Sequence, residues 1–279
     1  MIARSVVYFC VLGSLFVPAP INAQTNIPLF DAHSHFKAED EAAFTPAEIV
    51  SILDREYIRR SLVVGEPAQR ALTLYNYSPE SFVPFLGLYH SYKDKADWMF
   101  DADLPGRLRQ QLSTGPYAGI GEIHIFAAQR QNPVFKQVVA LANEKRLPIL
   151  LHGDAEVVEQ VFEWFPNMTV IWAHLGTRPE PDYVAELLER FPARLYVDTS
   201  VRDERFTVDG RLKDEWKAFF TEYADQVLVA IDTYSLQRWQ RIGEVTGRIR
   251  HWLMQLPREV ALKLAYQNAE SLFSSSAHK

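Results

Sequence analysis

Eight short runs rich in apolar and β-branched residues recur along the chain, and stretches with helical spacing fill the intervals. The runs are Leu29–His35, Arg60–Val64, Phe82–His90, Gly119–Ile125, Pro148–Gly153, Thr169–His174, Leu195–Ser200 and Val227–Asp232. Ile149-Leu150-Leu151, Val170-Ile171-Trp172 and Val227-Leu228-Val229 are apolar without interruption. Continuous apolar character, rather than strict alternation, marks parallel strands covered on both faces.

Between them, Thr45-Pro46-Ala47-Glu48 reads as a capping box with proline at the first helical position. Ile49, Ile52 and Leu53 follow at helical spacing. Asn132-Pro133 opens a second helix with Val134, Val138, Leu141 and Ala142 on one stripe. Glu156–Phe165, Asp182–Phe191 and Leu212–Tyr223 are further helical units, and Arg258–Phe273 follows Pro257. Eight strand–helix units predict an α/β fold: a (β/α)8 TIM barrel, one domain with distorted or extended C-terminal helices. A doubly wound open sheet would carry a Gly-rich phosphate turn after its first strand. Here Asp31-Ala32-His33-Ser34-His35 stands there instead.

Composition agrees. The 279 residues are 48% hydrophobic and 23% charged, which excludes disordered and collagen-like chains, and the length suits one barrel. The net charge of −6, with no basic run, argues against a nucleic-acid partner. The start of the chain reads as an address. Arg4, the apolar stretch Ser5–Val17, and Ile21-Asn22-Ala23 form a secretory signal with cleavage expected after Ala23. The apolar stretch is shorter than the ~20 residues of a membrane span, so no stable anchor is expected after processing. The expected domain is 24–279, periplasmic or secreted. The single cysteine, Cys10, lies in the leader, which leaves the mature chain without disulfides, a thiol nucleophile or cysteine-ligated zinc.

The polar residues that interrupt the apolar runs fall at strand ends, where α/β barrels place their chemistry. His33 and His35 are two apart, so on a strand both rings face one point, whereas on a helix they diverge by about 200°. Asp31 shares their parity one layer deeper. Glu122 lies towards the end of the fourth run and His152 towards the end of the fifth, while His174 ends the sixth and Asp232 the eighth. A single histidine after an apolar strand is commonly a hydrogen-bonded structural residue, and a lone carboxylate can cap a helix. Together, imidazoles and carboxylates converging on one mouth suit a divalent metal, and Asp232 would serve as both ligand and general base. His124 shares parity with Glu122 and is a candidate proton shuttle or substrate contact. Arg178 and Arg202 follow strands six and seven, and either is a candidate grip for a substrate carboxylate or phosphate. His90 and Tyr92 follow strand three at the expected rim; His251 and His278 read as peripheral. Trp98 and Phe100, read as exposed aromatics, offer a surface for a homo-oligomer or a lid.

These motifs resemble the amidohydrolase superfamily, in particular its amidohydrolase-2 branch of metal-dependent TIM-barrel hydrolases. The resemblance runs from Phe30 to Phe273. It rests on Asp31-Ala32-His33-Ser34-His35, Gly121-Glu122-Ile123, Leu151-His152-Gly153, Ala173-His174-Leu175-Gly176, Ile231-Asp232 and the ending Asn268-Ala269-Glu270-Ser271-Leu272-Phe273. It implies that His33 and His35 bind a first metal, completed by Asp232. In mononuclear relatives His152 is a ligand and His174 contacts substrate or the activated water. In binuclear ones His152 and His174 hold a second ion, bridged by a group on strand four, here Glu122 as in TatD-like members. The implied cofactor is one or two divalent ions, zinc first, with manganese, iron, cobalt or nickel as alternatives. Thr233-Tyr234-Ser235 replaces the small residues and proline-containing turn frequent in the branch after strand eight. The expected function is hydrolysis of an ester, lactone or amide bond in a small molecule, with Asp232 and His174 catalytic. Non-oxidative decarboxylation, with Arg178 or Arg202 holding the carboxylate, is the first alternative, TatD-like phosphoester hydrolysis the second, and a binding protein without turnover the third.

Overall fold

Strands form where the apolar runs predicted them. The computed structural model describes residues 27–274, so the expected leader and His278 lie outside the described residues. The strands are β1 (Leu29–Lys37), β2 (Ile58–Glu66), β3 (Phe82–Leu86), β4 (Gly119–His124), β5 (Ile149–His152), β6 (Val170–Trp172), β7 (Leu195–Asp198), β8 (Thr207–Val208), β9 (Arg211–Leu212) and β10 (Val227–Leu228). Eight are parallel, in the order β1-β2-β3-β4-β5-β6-β7-β10, and alternate with helices as a nearly closed (β/α)8 barrel. Side-chain and loop bonds finish the seam between β1 and the chain after β10. Ala32 N–H donates to Val229 O at 3.0 Å and Asp232 N–H to His33 O at 2.6 Å. Thr233 Oγ accepts from His35 N–H and donates to His35 O, both at 2.9 Å.

Several boundaries differ from the sequence expectation. The third run pairs only to Leu86, and the eighth only over Val227–Leu228, because the chain then leaves the ladder: Val229 N–H donates to Leu264 O of the C-terminal helix at 3.0 Å. The helix expected from Leu212 begins at Asp214, since Arg211 and Leu212 pair with Thr207 and Val208 in an antiparallel hairpin. The capping box forms as read: Thr45 Oγ accepts from Glu48 N–H, and Glu48 accepts from Thr45 N–H at 2.8 Å. Asn132 Oδ1 caps the next expected helix, accepting from Val134 and Phe135.

Two layers of core result. Ile120, Ile149, Val170 and Val197 pack outward against the helices, while Phe30, Leu62, Phe85, Leu150, Ile171 and Leu228 fill the barrel. On β1, Leu29 and Phe36 belong to the outer layer and Phe30 and Ala32 to the inner one. This change of phase coincides with a register shift between Asp31 and Ser34, the way an irregular strand re-aims side chains near a site.

The C-terminal ending plugs the barrel floor. The helix from Arg258 carries a wide turn at Lys263–Gln267, in line with the distortion expected there. Asn268 donates to Ala224 O and Val227 O at 2.7 and 2.8 Å, and the Phe273 ring stacks on Phe30 at 5.6 Å and edges Phe85 at 5.8 Å. No helix among the described residues is long and apolar enough to cross a membrane.

Candidate metal centre

Six buried or half-buried groups from five strand ends meet at the mouth. His33 and His35, both fully buried, place their Nε2 atoms 3.2 Å apart. Glu122 stands at the centre with each oxygen facing imidazoles. Its Oε1 lies 2.9 Å from His152 Nδ1, 3.2 Å from His174 Nε2 and 3.7 Å from His33 Nε2. Its Oε2 lies 2.7 Å from His124 Nε2 and 3.4 Å from His35 Nε2. Asp232 Oδ1 is 3.5 Å from His35 Nε2 and 3.9 Å from His33 Nε2, and Oδ2 is 4.0 Å from His174 Nε2. The structure thus gathers all six expected ligands, and His124 with them.

Local backbone geometry sets these positions. Gly121 has φ +134°, and a Cβ there would stand 2.3 Å from Leu150 O, so only glycine lets β4 pass this close to β5 ahead of Glu122. His174, Leu175 and Gly176 all have positive φ, at 63°, 56° and 77°, and Asp232 is at 57°. Left-handed non-glycine residues are costly and gather at functional sites. The His174 turn is clamped: Arg202 Nε donates to His174 O at 3.1 Å, and the Trp172 ring lies where a Gly176 Cβ would be, 2.2 Å away.

Support comes from Asp198, which lies in the seventh run and ends β7 but is not among the sequence candidates. His33 Nδ1 donates to Asp198 Oδ2 at 2.9 Å, and Oδ1 accepts from His174 N–H, Ser200 N–H and Ser200 Oγ. Ser200 Oγ also meets His174 Nδ1 at 2.8 Å. Asp31 lies deeper, accepting from Ile231 N–H, His33 N–H and Ser61 Oγ.

The electrostatics are those of concentrated buried charge. Burial opposes an imidazolium at His33, but Asp198, Asp232 and Glu122 outweigh it and lift its pKa to about 10. Burial raises Asp198, yet His33, His174 and Ser200 bring it down to about 2. Glu122 is held well below the usual range against its burial by His124 and His33. Burial lowers His124 to about 4 despite Glu122, while Asp31 is pushed by burial up to about 7. His174 is raised against its burial by Glu122 and Asp198.

The donor set fits a divalent cation. Two nitrogens at zinc distance from one ion, near the tetrahedral angle, stand about 3.3 Å apart, close to the His33–His35 separation. Asp232 Oδ1 is buried without a hydrogen-bond partner among the described residues. Ligand atoms within 4.8 Å of one another form three groups: His33, His174 and Asp232; His33, His35 and Glu122; and Glu122, His124 and His152.

The remaining candidates lie as follows, and one of them, Trp98, is corrected from exposed to buried. Arg178 is exposed, paired with Glu180 at 2.6 Å and stacked over Tyr183, because its loop runs out over the surface. Arg202 is half-buried at the edge of the site and donates to the backbone carbonyls of His174 and Gly176. Trp98 is buried, its Nε1 donating to His124 O at 2.8 Å; Phe100 is exposed as read. His90 and His251 are exposed. Besides Asp198, the sequence reading missed Glu66 at the end of β2 and Lys95, whose Nζ lies 3.4 Å from Glu66 Oε1 and 3.8 Å from Glu122 Oε2. The second expected run stopped two residues short of Glu66, and no local pattern marks Lys95.

No protein-family model and no curated protein sequence matches the chain. Solved structures do. A probable 2-pyrone-4,6-dicarboxylic acid hydrolase from Acinetobacter baumannii with citric acid bound aligns at TM-score 0.59 and 14% identity, over 89% of this chain and 100% of that one. An amidohydrolase from Burkholderia multivorans with bound zinc aligns at TM-score 0.57 and 12% identity, over 88% and 99%. The chain shares the barrel fold of these amidohydrolase structures.

Proposed function

We propose that the protein is a metal-dependent hydrolase of the amidohydrolase superfamily that cleaves an ester, lactone or amide bond in a small molecule. One observation carries this reading: the facing Nε2 atoms of His33 and His35 stand within 4 Å of the buried, unpartnered Oδ1 of Asp232. His33, His35, Glu122, His152, His174 and Asp232 would hold one or two ions. A divalent cation there would lower the pKa of a water ligand and polarise the scissile carbonyl. Zinc is supported by the nitrogen and oxygen donors and by the zinc-bearing neighbour.

Asp232, through the carboxylate oxygen not turned to the cation, takes the proton of the attacking water and passes it to the leaving oxygen or nitrogen as the acyl bond breaks. Asp198 holds the His33 ring, and Ser200 fixes His174 with Nε2 turned toward Glu122 and Asp232. The decarboxylase alternative has less behind it: Arg178 is exposed and paired with Glu180, and Arg202 donates to the backbone carbonyls of His174 and Gly176. Export is supported by the leader-like first 23 residues alone.

The test is turnover of zinc- or cobalt-loaded protein on a panel of esters and lactones, with Asp232→Asn beside it. The variant should lose about 10²–10⁴-fold in kcat, as for a removed general base. Equal rates for the two proteins would overturn the mechanism, and no turnover on any panel member would favour a binding protein.

A further inference from the structure

The two imidazoles of β1 are supported unequally. His33 Nδ1 meets Asp198 at 2.9 Å. His35 Nδ1 is buried and has no hydrogen-bond partner among the described residues. Glu66 Oε1 faces it at 3.8 Å; this oxygen is also buried, ion-paired to Lys95 but with no hydrogen bond among the described residues. A ring nitrogen able to carry a proton and a carboxylate oxygen able to accept one therefore point at the same gap.

Glu66 is well anchored for that task. It ends β2, is 4% exposed, and its backbone carbonyl accepts from Arg70 Nη1 at 3.0 Å. Lys95 Nζ, 3.4 Å from Oε1, supplies the compensating charge that a buried carboxylate requires. His35 Nε2 points the other way, to His33 Nε2 and Glu122 Oε2. A neutral ring that gives Nε2 to a cation carries its proton on Nδ1, and that proton needs an acceptor when buried.

We propose that Glu66 is the positioning carboxylate of His35: it accepts the Nδ1–H of His35 when Nε2 is turned to a divalent cation, as Asp198 does for His33, with Lys95 holding Glu66 in place. The inference rests on the metal-centre reading above. It assigns both rings of the His33/His35 pair an acid from another strand, β7 for one and β2 for the other.

The experiment measures zinc affinity by chelator competition, the visible spectrum of the cobalt form, and melting of the metal-free protein. It uses the full chain as wild type, Glu66→Gln, and Glu66→Ala combined with Lys95→Met, so that no ammonium is left unpaired. The double variant should bind zinc about 10–100-fold more weakly, the usual effect of losing such a partner. Glu66→Gln keeps a carbonyl acceptor and should recover at least half of that loss on a logarithmic scale, with a shifted cobalt spectrum. Zinc affinity within about threefold of wild type in both variants overturns the proposal. So does an equal loss in both that tracks a fall in metal-free melting, since that pattern belongs to packing. A wild-type protein that takes up no metal overturns the metal-centre reading itself, and is distinct from both.

Discussion

Replacing Asp198 with asparagine should unlock the metal centre from behind. The carboxylate divides its work: Oδ1 accepts from three donors on the chain between His174 and Ser200, and Oδ2 accepts from His33 Nδ1 alone. The amide oxygen of asparagine will stay with the three donors, which turns its NH2 toward His33. His33 Nδ1 must then accept, and its proton moves to Nε2, the nitrogen that faces His35. A ring protonated at Nε2 cannot ligate there. Losing a carboxylate partner behind a ligand typically costs 10–100-fold in metal affinity, or about 1.4–2.7 kcal/mol. The metal-free fold should weaken as well. The fall of the Asp198 carboxyl from 3.8 to about 2 corresponds to about 2 kcal/mol of preference for its ionised form. Because the folded pKa is depressed, that contribution is present above pH 4 and is lost as pH falls toward 2. Chelator-competition titration of zinc and urea unfolding of the metal-free protein at pH 7 measure the two effects. Zinc affinity and unfolding midpoint both unchanged in Asp198→Asn would refute the reasoning.

Three further outcomes follow from the packing and charge. Gly176→Ala should lower stability by about 2–5 kcal/mol, combining the left-handed φ with a Cβ driven into the Trp172 ring, which is fully buried and tied to Gly153 O at 2.8 Å; urea midpoints read it, and a shift below 1 kcal/mol counts against the turn. Phe273→Ala should cost about 3–5 kcal/mol by emptying the barrel floor against Phe30 and Phe85, and a tolerated substitution would mean that the ending does not plug the barrel. Asp40→Asn should gain about 1–2 kcal/mol at pH 7 after solvent screening. Burial raises Asp40 to about 6, so stability is lost as pH rises from about 4 through 6, while asparagine keeps the acceptor for Lys37 N–H. The gain should vanish near pH 4, and unfolding curves at both pH values check it.

What the sequence reveals and hides follows from the range of each interaction. Strand runs, the Thr45 capping box and the Asn132 cap depend on neighbours in sequence; the two caps form as read, and the runs all form strands, the third and eighth shorter than read. The helix Leu104–Thr114 was harder to see, because only Leu104 and Leu108 are buried along it. The expected eighth strand was too long because its partner beyond Leu228 is Leu264, a residue no local pattern could associate with it. The candidate ligands were legible, since each stands at or near the end of an apolar run and two share strand parity. Asp198 obeys the same rule and could have been found by applying it to the seventh run. For Arg178 and Arg202 a βα-loop position leaves side-chain direction undetermined in the sequence; in the structure one turns to Glu180 and the other to backbone carbonyls.

Much of the support of the site, unlike the candidate ligands, is long-range. His33 and Asp198 are 165 positions apart, and Thr233 clasps both the N–H and the C=O of His35 across 198. The rings of His33 and His174 are thus held by residues at the end of β7, and the backbone of His35 by Thr233. This arrangement explains why the left-handed residues His174 and Asp232 persist: the first has its N–H bound by Asp198 and its C=O by Arg202, the second has its N–H bound by His33 O. A substitution that merely relaxes one of these turns should leave the barrel folded and misalign the opposite ligand. Affinity for a cation should therefore respond more steeply than stability to changes in the supporting residues, whereas changes in the floor around Phe273 should show the reverse order.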